Sequence, residues 1–286
     1  MEWLLARNGR YGVLNVVVHP HPKGAYRRLF EVVGADLRGV KFHGDRFATM
    51  SPVSETRNGV FTGKLATWTE IDPKSNLIEK KTLKETLLSE ADVSIPDGVG
   101  FNSRVFSFAF RERDHRLYVE LVNDEGQTIS VGRAQLAIRC VLSAFQPEDI
   151  DELDVHVVSQ SNAVDKVLSI PRLRKLAIQL DLPNPDDLSE EKRKILEEIE
   201  KMNGKRVKTE ITKSAGEERL EASPHYRAMA ELAKDNGYVS GTGRDENGEV
   251  IQLSTKSYPD EIEVPLTDEA NRSIMTRVVA ERPERE

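Results

Sequence analysis

The most β-prone run of the chain spans residues 13–18, where Asn15 is the single polar residue among five apolar ones. A run this apolar predicts a β-strand buried on both faces. The sequence His-Pro-His-Pro follows at residues 19–22. Proline has no N–H to donate and pushes the preceding residue toward extended geometry, so the strand should end there. His19 and His21 are therefore expected just beyond a central strand.

The pattern after this strand changes to a helical spacing. Over residues 23–33 the apolar positions recur every three or four residues, which predicts an amphipathic helix. Strand-like patterns follow at residues 40–50 and 59–71, the second of them alternating between apolar and polar. The first seventy residues therefore predict a βαββ unit.

The middle of the chain alternates between short strands and helices. A short helix is predicted at residues 82–90, a hairpin from strands 104–110 and 116–122, and an apolar helix at residues 131–145. The next predicted elements are a strand at 154–159, a helix at 162–169 and a strand at 173–180. A further helix ends near Met202, with Leu188, Ile195, Ile199 and Met202 on one apolar stripe, and a strand follows at 206–212.

The last part of the chain predicts a separate small module. Residues 213–222 are polar and lack periodicity, which is typical of a linker. A helix and a β-hairpin follow from residue 223. The predicted fold class is α+β, with mixed sheets and packed helices. We expect a main body at residues 1–212, either whole or split into 1–125 and 126–212, and a helix–hairpin module at 223–286 with a frayed tail.

Composition and charge limit the classes of protein to which the chain can belong. No apolar window approaches the ~18 residues that span a bilayer, and a single cysteine excludes a disulfide framework within the chain. We therefore expect a cytoplasmic protein without a membrane partner. The net charge is −7, yet residues 1–60 carry nine Lys and Arg against five Asp and Glu. A local basic face is thus compatible with the acidic total.

The best candidate for chemistry is a set of histidines with a carboxylate and an arginine. His19 and His21, together with Asp45, are the predicted catalytic residues, with His43 and Arg46 beside them. Imidazoles near a carboxylate could bind a metal or cleave a phosphodiester by general acid–base catalysis. The alternative is a structural or binding role. No complete catalytic motif is present, so enzymatic activity, cofactor and metal are left open.

Two basic clusters are candidates for contact with nucleic-acid phosphates, and ordinary solvated surface is the alternative. The first cluster comprises Arg27, Arg28, Arg38, Lys41 and Arg46, and the second comprises Arg172, Arg174 and Lys175.

Five blocks, at residues 15–22, 43–46, 66–73, 169–187 and 232–259, resemble a bacterial domain-of-unknown-function family of about this length. The resemblance covers nearly the whole chain and implies a bacterial protein from mobile-element or phage-defence loci, but it assigns no activity or site residue.

We expect a nucleic-acid-associated defence protein, with binding favoured over catalysis and the choice of RNA or DNA left open. The first alternative is a regulatory subunit that binds another protein of its locus through the acidic C-terminal module. A metal-assisted nuclease is the second alternative. The oligomeric state is left open.

Overall fold

The computed structural model describes residues 7–56, 59–72, 74–90, 95–96, 98–184, 190–266 and 279. In these residues helices and strands are mixed, with more strand than helix. The strands are β1 (Arg7–His19), β2 (Val40–His43), β3 (Arg46–Met50), β4 (Ser54–Glu55), β5 (Val60–Thr69), β6 (Asn76–Ile78), β7 (Glu85–Leu87), β8 (Phe101–Arg111), β9 (Arg116–Glu120), β10 (Glu152–Val157), β11 (Arg172–Asp181), β12 (Arg206–Thr212), β13 (Gly237–Arg244), β14 (Val250–Ser254) and β15 (Glu261–Leu266). The helices are α1 (Ala25–Ala35), α2 (Val131–Ala144), α3 (Ala163–Leu168), α4 (Glu190–Lys201) and α5 (Pro224–Ala233).

The larger sheet is antiparallel and follows the order β10-β1-β9-β8-β5-β3-β2, with β15 added to β1 and β4 to β5. It curls into a half-barrel. Helix α2 packs against β10 at one end of this order and against β2 at the other. One helix can reach both ends because the sheet wraps around it.

The core of the half-barrel lies on the concave side of the sheet, where α1 and α2 pack. Leu14, Val16 and Val18 alternate along β1 and are fully buried there, as the apolar run predicts. Phe30 of α1 stacks on Phe108 of β8, with ring centroids 6.0 Å apart. Burial of such aromatic surface against β-branched side chains supplies the main driving force for closing the half-barrel.

The second sheet has four antiparallel strands in the order β12-β11-β13-β14. Its central strand β11 buries Leu176 and Ile178 against a cluster that includes residues of α3, α4 and α5. All three helices lie on this face, and no helix of the described residues covers the other face of the sheet.

Three predicted elements differ from the structure. Residues 82–90 form β7 and a short 3₁₀ helix, because β7 pairs with β6 and this pairing decides a segment of weak periodicity. Residues 40–50 form the two strands β2 and β3, which are joined by a turn at Gly44. Met202 is 69% exposed because α4 ends at Lys201, before the apolar stripe is complete. Leu188 lies outside the described residues.

The predicted linker at residues 213–222 connects neighbouring parts of the four-stranded sheet. Strand β11 pairs with β12 before this segment and with β13 after it. Leu220 donates its amide to the carbonyl of Leu173 over 2.8 Å. A domain boundary at this segment stays a prediction.

None of the helices in the described part of the chain has both the length and the apolar character needed to cross a membrane.

Candidate functional site

His19 and His21 lie where β1 ends, as their position in the sequence predicts. The imidazole Nε2 of His19 lies 3.2 Å from the carbonyl oxygen of Leu182. The ring of His21 packs edge-on against two other rings, with centroid distances of 5.2 Å to Tyr26 and 4.7 Å to His115. His19 therefore contacts the segment that follows β11, whereas His21 packs within the half-barrel.

Asp45 lies far from these histidines, at the opposite end of the larger sheet. It sits in the turn between β2 and β3, and the path from β1 to β3 alternates direction at every strand. Across the sheet, Arg46 lies level with Phe101, the first residue of β8. Arg111, the last residue of β8, lies level with Asn15, and β1 continues beyond that level to His19. The ten residues of β8 between these levels correspond to ~33 Å of strand. His19, His21 and Asp45 therefore do not form one site, and His43 and Arg46 lie with Asp45.

Most of the first basic cluster is engaged with carboxylates. Lys41 and Arg46, on β2 and β3, form no ion pair with a described residue. The other three arginines are paired as follows: Arg27 with Glu55 at 2.6 Å, Arg28 with Asp149 at 2.5 Å, and Arg38 with Asp36 at 3.1 Å. A phosphate would have to displace these acids before it could bind the three guanidinium groups.

The second basic cluster lies on β11, the central strand of the four-stranded sheet. We define the open face as the side of this sheet opposite its helices. The residues that alternate onto the open face are Arg172, Lys175, Ala177, Gln179 and Asp181 of β11; Arg206, Lys208, Glu210 and Thr212 of β12; Tyr238, Ser240, Thr242 and Arg244 of β13; and Val250, Gln252 and Ser254 of β14. Arg174 is exposed at a bulge next to Lys175. The open face thus carries five cations and two carboxylates.

A cleft of about 840 Å³ adjoins one end of the open face, between that face and the half-barrel. Its charged residues come from both sides of this boundary. They are Arg10, Arg139, Asp154 and Glu261 from the half-barrel side, with Asp181, Arg206 and Lys256 from the four-stranded sheet and its adjoining turn. His156, Gln135, Gln179 and Tyr238 contribute polar groups to the lining. Cavities of this size commonly hold small-molecule ligands.

Two of the carboxylates, Asp154 and Asp181, lie near His156 in the wall of this cleft. Asp181 is almost fully buried and accepts a hydrogen bond from Arg206, which raises the pKa of that guanidinium. Burial lowers the pKa of His156, although the nearby carboxylates of Asp154 and Asp181 oppose this shift. His156 is therefore neutral at pH 7. Its Nε2 is shielded from solvent and has no hydrogen-bond partner among the described residues.

The N-terminus of α2 forms part of the cleft wall. Ser130 caps this helix by accepting a hydrogen bond from the amide of Arg133 at its Oγ, over 3.4 Å. The amides of Val131 and Gly132 precede the first intrahelical bond and have no acceptor in the described part of the chain. A Cβ atom on Gly132 would meet no heavy atom within 4 Å, so open space lies beside it.

Sequence reasoning missed this cleft, although one local signal was present. Asp154 and His156 are two residues apart on the predicted strand at 154–159, so they share a face. Their neighbours Asp181 and Arg206 come from a different sheet, and no local pattern indicates that contact. No group of three or more His, Cys, Asp or Glu residues with metal-binding geometry occurs among the described residues.

The fold and the site define a protein of mixed α and β structure, in which a half-barrel and a four-stranded sheet with one uncovered face border a polar cleft. The chain belongs to the family described as domain of unknown function DUF4747, whose family pattern matches residues 7–280. This confirms the resemblance to a domain-of-unknown-function family of about this length. A search of the curated proteins finds no match to the chain.

Proposed function

We propose that this α+β protein, with an N-terminal βαββ unit and a C-terminal helix–hairpin module, binds single-stranded nucleic acid on the open face. One observation carries the proposal: an uncovered sheet face presents five cations against two carboxylates in a chain whose net charge is −7. Concentrating positive charge on one face of an acidic protein favours phosphate binding there and disfavours it elsewhere.

The side chains of the open face suit a flexible strand better than a rigid duplex. Ala177, Ser240 and Thr242 are small, and they lie beside one another across β11 and β13. A nucleic-acid strand could therefore approach the sheet closely. Tyr238 supplies an aromatic ring at the end that adjoins the cleft, and bases stack on such rings with little sequence preference.

The ion pairs support the open face over the first basic cluster as the site of phosphate contact. On the open face, Lys175 pairs with Glu210 at 2.8 Å and Arg206 pairs with Asp181. Arg172, Lys208 and Arg244 form no ion pair with a described residue. In the first cluster three of the five cations are paired. The open face therefore offers more cations that can bind phosphate without displacing an acid.

The experiment compares two double variants that change the net charge equally. Arg172→Glu/Lys208→Glu alters the open face, and Arg27→Glu/Arg28→Glu alters the first cluster as the matched control. Fluorescence anisotropy with single-stranded RNA and DNA should show at least tenfold weaker binding for the open-face variant. Its salt slope should flatten by about 0.7 for each phosphate that the variant no longer neutralises.

Two results would count against this proposal. An equal decrease of affinity in both variants would show that binding follows total charge rather than the open face. No binding of wild-type protein to any strand at low salt would reject nucleic-acid binding altogether, and the protein-interaction subunit would take its place. Catalysis by His19 and His21, a role in defence in the bacterial cytoplasm, and partners from the same locus remain proposals that rest on the sequence.

A further inference from the structure

We propose that the cleft binds a nucleoside monophosphate unit, either as a free nucleotide or as the phosphorylated end of a nucleic-acid strand. The phosphate lies at the N-terminus of α2, and the sugar and base lie toward the four-stranded sheet. For the strand end, the inference rests on the function proposed above. For the free nucleotide it does not, because that ligand needs only the cleft.

The N-terminus of α2 supplies the phosphate-binding groups. The helix has 14 residues, and its first amides carry the positive end of the helix dipole. The amides of Val131 and Gly132 have no acceptor among the described residues, and the space beside Gly132 is open. A phosphate oxygen at this position would accept both hydrogen bonds, as anions do at other helix N-termini.

The cations of the cleft are placed to move toward a ligand. Arg10 is paired with Glu261 at its half-exposed end, and Arg139 approaches Asp154 only to 3.8 Å, longer than a hydrogen bond. Lys256 forms no ion pair with a described residue, and its Nζ lies 4.0 Å from the ring centroid of Tyr238. These side chains can reorient toward a phosphate without leaving a buried carboxylate unpaired.

A buried polar group in the lining also indicates a polar ligand rather than an apolar one. His156 lines the cleft with a shielded Nε2 that lacks a partner in the described part of the chain. Leaving such a group unpaired is costly, and a ligand that orders the lining can offset this cost by supplying a hydrogen bond. The imidazole is neutral, so it adds hydrogen bonding and no charge.

The carboxylates select among phosphorylated ligands. Asp154, Asp181 and Glu261 share the cleft with its cations, and a polyphosphate of high negative charge would be repelled by them. A monophosphate carries less charge, and its sugar hydroxyls can donate hydrogen bonds to a carboxylate, as ribose hydroxyls do in dinucleotide-binding sites. The volume of about 840 Å³ is sufficient for one nucleotide.

The test uses isothermal titration calorimetry of the full chain with adenosine monophosphate, adenosine and inorganic phosphate as probes. Gly132→Asp places a carboxylate at the proposed phosphate position, and Gly132→Asn is a control of nearly equal size without the charge. Both variants should fold, because replacing a helical glycine and adding an acid near a helix N-terminus are stabilising. We expect at least tenfold weaker binding of adenosine monophosphate to Gly132→Asp, and less than threefold change for Gly132→Asn.

Other measurements keep the proposal testable if Gly132→Asp fails to fold. Lys256→Gln should then weaken binding of adenosine monophosphate by three- to tenfold. The proposal is overturned if adenosine binds as tightly as its monophosphate, if neither the monophosphate nor a 5′-phosphorylated strand binds, or if a folded Gly132→Asp binds like wild type. Preference for a 5′-phosphorylated oligonucleotide over its 5′-hydroxyl form would identify the strand end as the ligand. Binding of the free monophosphate without that preference would support the nucleotide source.

The same variants separate this proposal from binding on the open face. Gly132→Asp should leave the affinity for a 5′-hydroxyl strand within threefold of wild type, because the open face is unchanged. Arg172→Glu/Lys208→Glu should weaken strand binding and leave binding of the monophosphate intact. Wild-type protein that binds the 5′-hydroxyl strand but not the monophosphate would reject the cleft proposal alone, and wild-type protein that binds only the monophosphate would reject binding on the open face alone.

Discussion

A buried hydrogen bond between two asparagines joins the half-barrel to the four-stranded sheet. The Nδ2 of Asn15 on β1 donates to the Oδ1 of Asn236, just before β13, over 2.8 Å. Both residues are only 7% exposed. Because these two parts of the fold also form the walls of the cleft, the bond helps to hold the cleft in shape. We predict that breaking it lowers the stability of the whole chain.

The size of the effect follows from the hydrogen bonds that the substitution removes. Asn236→Ala removes the acceptor for Asn15, and it also removes a second bond, in which the Nδ2 of Asn236 donates to the carbonyl of Leu232 over 3.1 Å. A buried polar group without its partner costs ~1–3 kcal/mol, so we expect a decrease of about 2 kcal/mol in the free energy of unfolding. For a chain of this size that corresponds to a fall in Tm of roughly 4–8 °C.

The assay is urea denaturation of Asn15→Ala, Asn236→Ala and the double variant. If the hydrogen bond between the two asparagines is the main source of the destabilisation, the second substitution should lower the free energy of unfolding by less when the first is already present. The reason is that the first substitution has already removed the hydrogen-bond partner. The double-mutant cycle should then give a coupling of about 1 kcal/mol. Additive effects, with a coupling below ~0.3 kcal/mol, would refute the reasoning and show that each side chain acts only through its own local packing.

Two further predictions concern titration and chain cleavage. Burial holds the pKa of His156 below its ordinary value, so the folded state resists its protonation. The free energy of unfolding of the wild type should therefore decrease as the pH falls below ~6.5 toward the folded-state pKa. His156→Gln should lose less of this free energy over that range. Above pH 7 the free energy of unfolding should change with pH in the same way in both proteins. Equal slopes for both proteins between pH 5 and 6.5, measured by urea denaturation, would contradict this. If residues 213–222 act as a linker, limited proteolysis should cut there before it cuts the half-barrel, whereas a chain that resists cleavage at this segment would argue for a docked module.

The sequence by itself determined the local elements whose pattern is strong. The apolar run at residues 13–18 lies within β1, the helix predicted at 131–145 is α2, and the strand predicted at 206–212 coincides with β12. In each case the spacing of apolar side chains over a few residues decides the structure, because each such element must bury one face or both. Weak patterns failed, and residues 82–90 formed a strand and a 3₁₀ helix once β6 and β7 had paired.

Only the tertiary structure decided which chemical groups meet. Asp45 and His19 were expected near each other, but the antiparallel order of the larger sheet places them at opposite ends. Arg172 was identified as one of a basic cluster, yet its place on an uncovered face depends on α3, α4 and α5 all packing on the other side. The cleft depends most on tertiary packing. His156 meets Asp181 and Arg206 there because two sheets adjoin, and strand order and packing across such distances in sequence leave no trace in local periodicity.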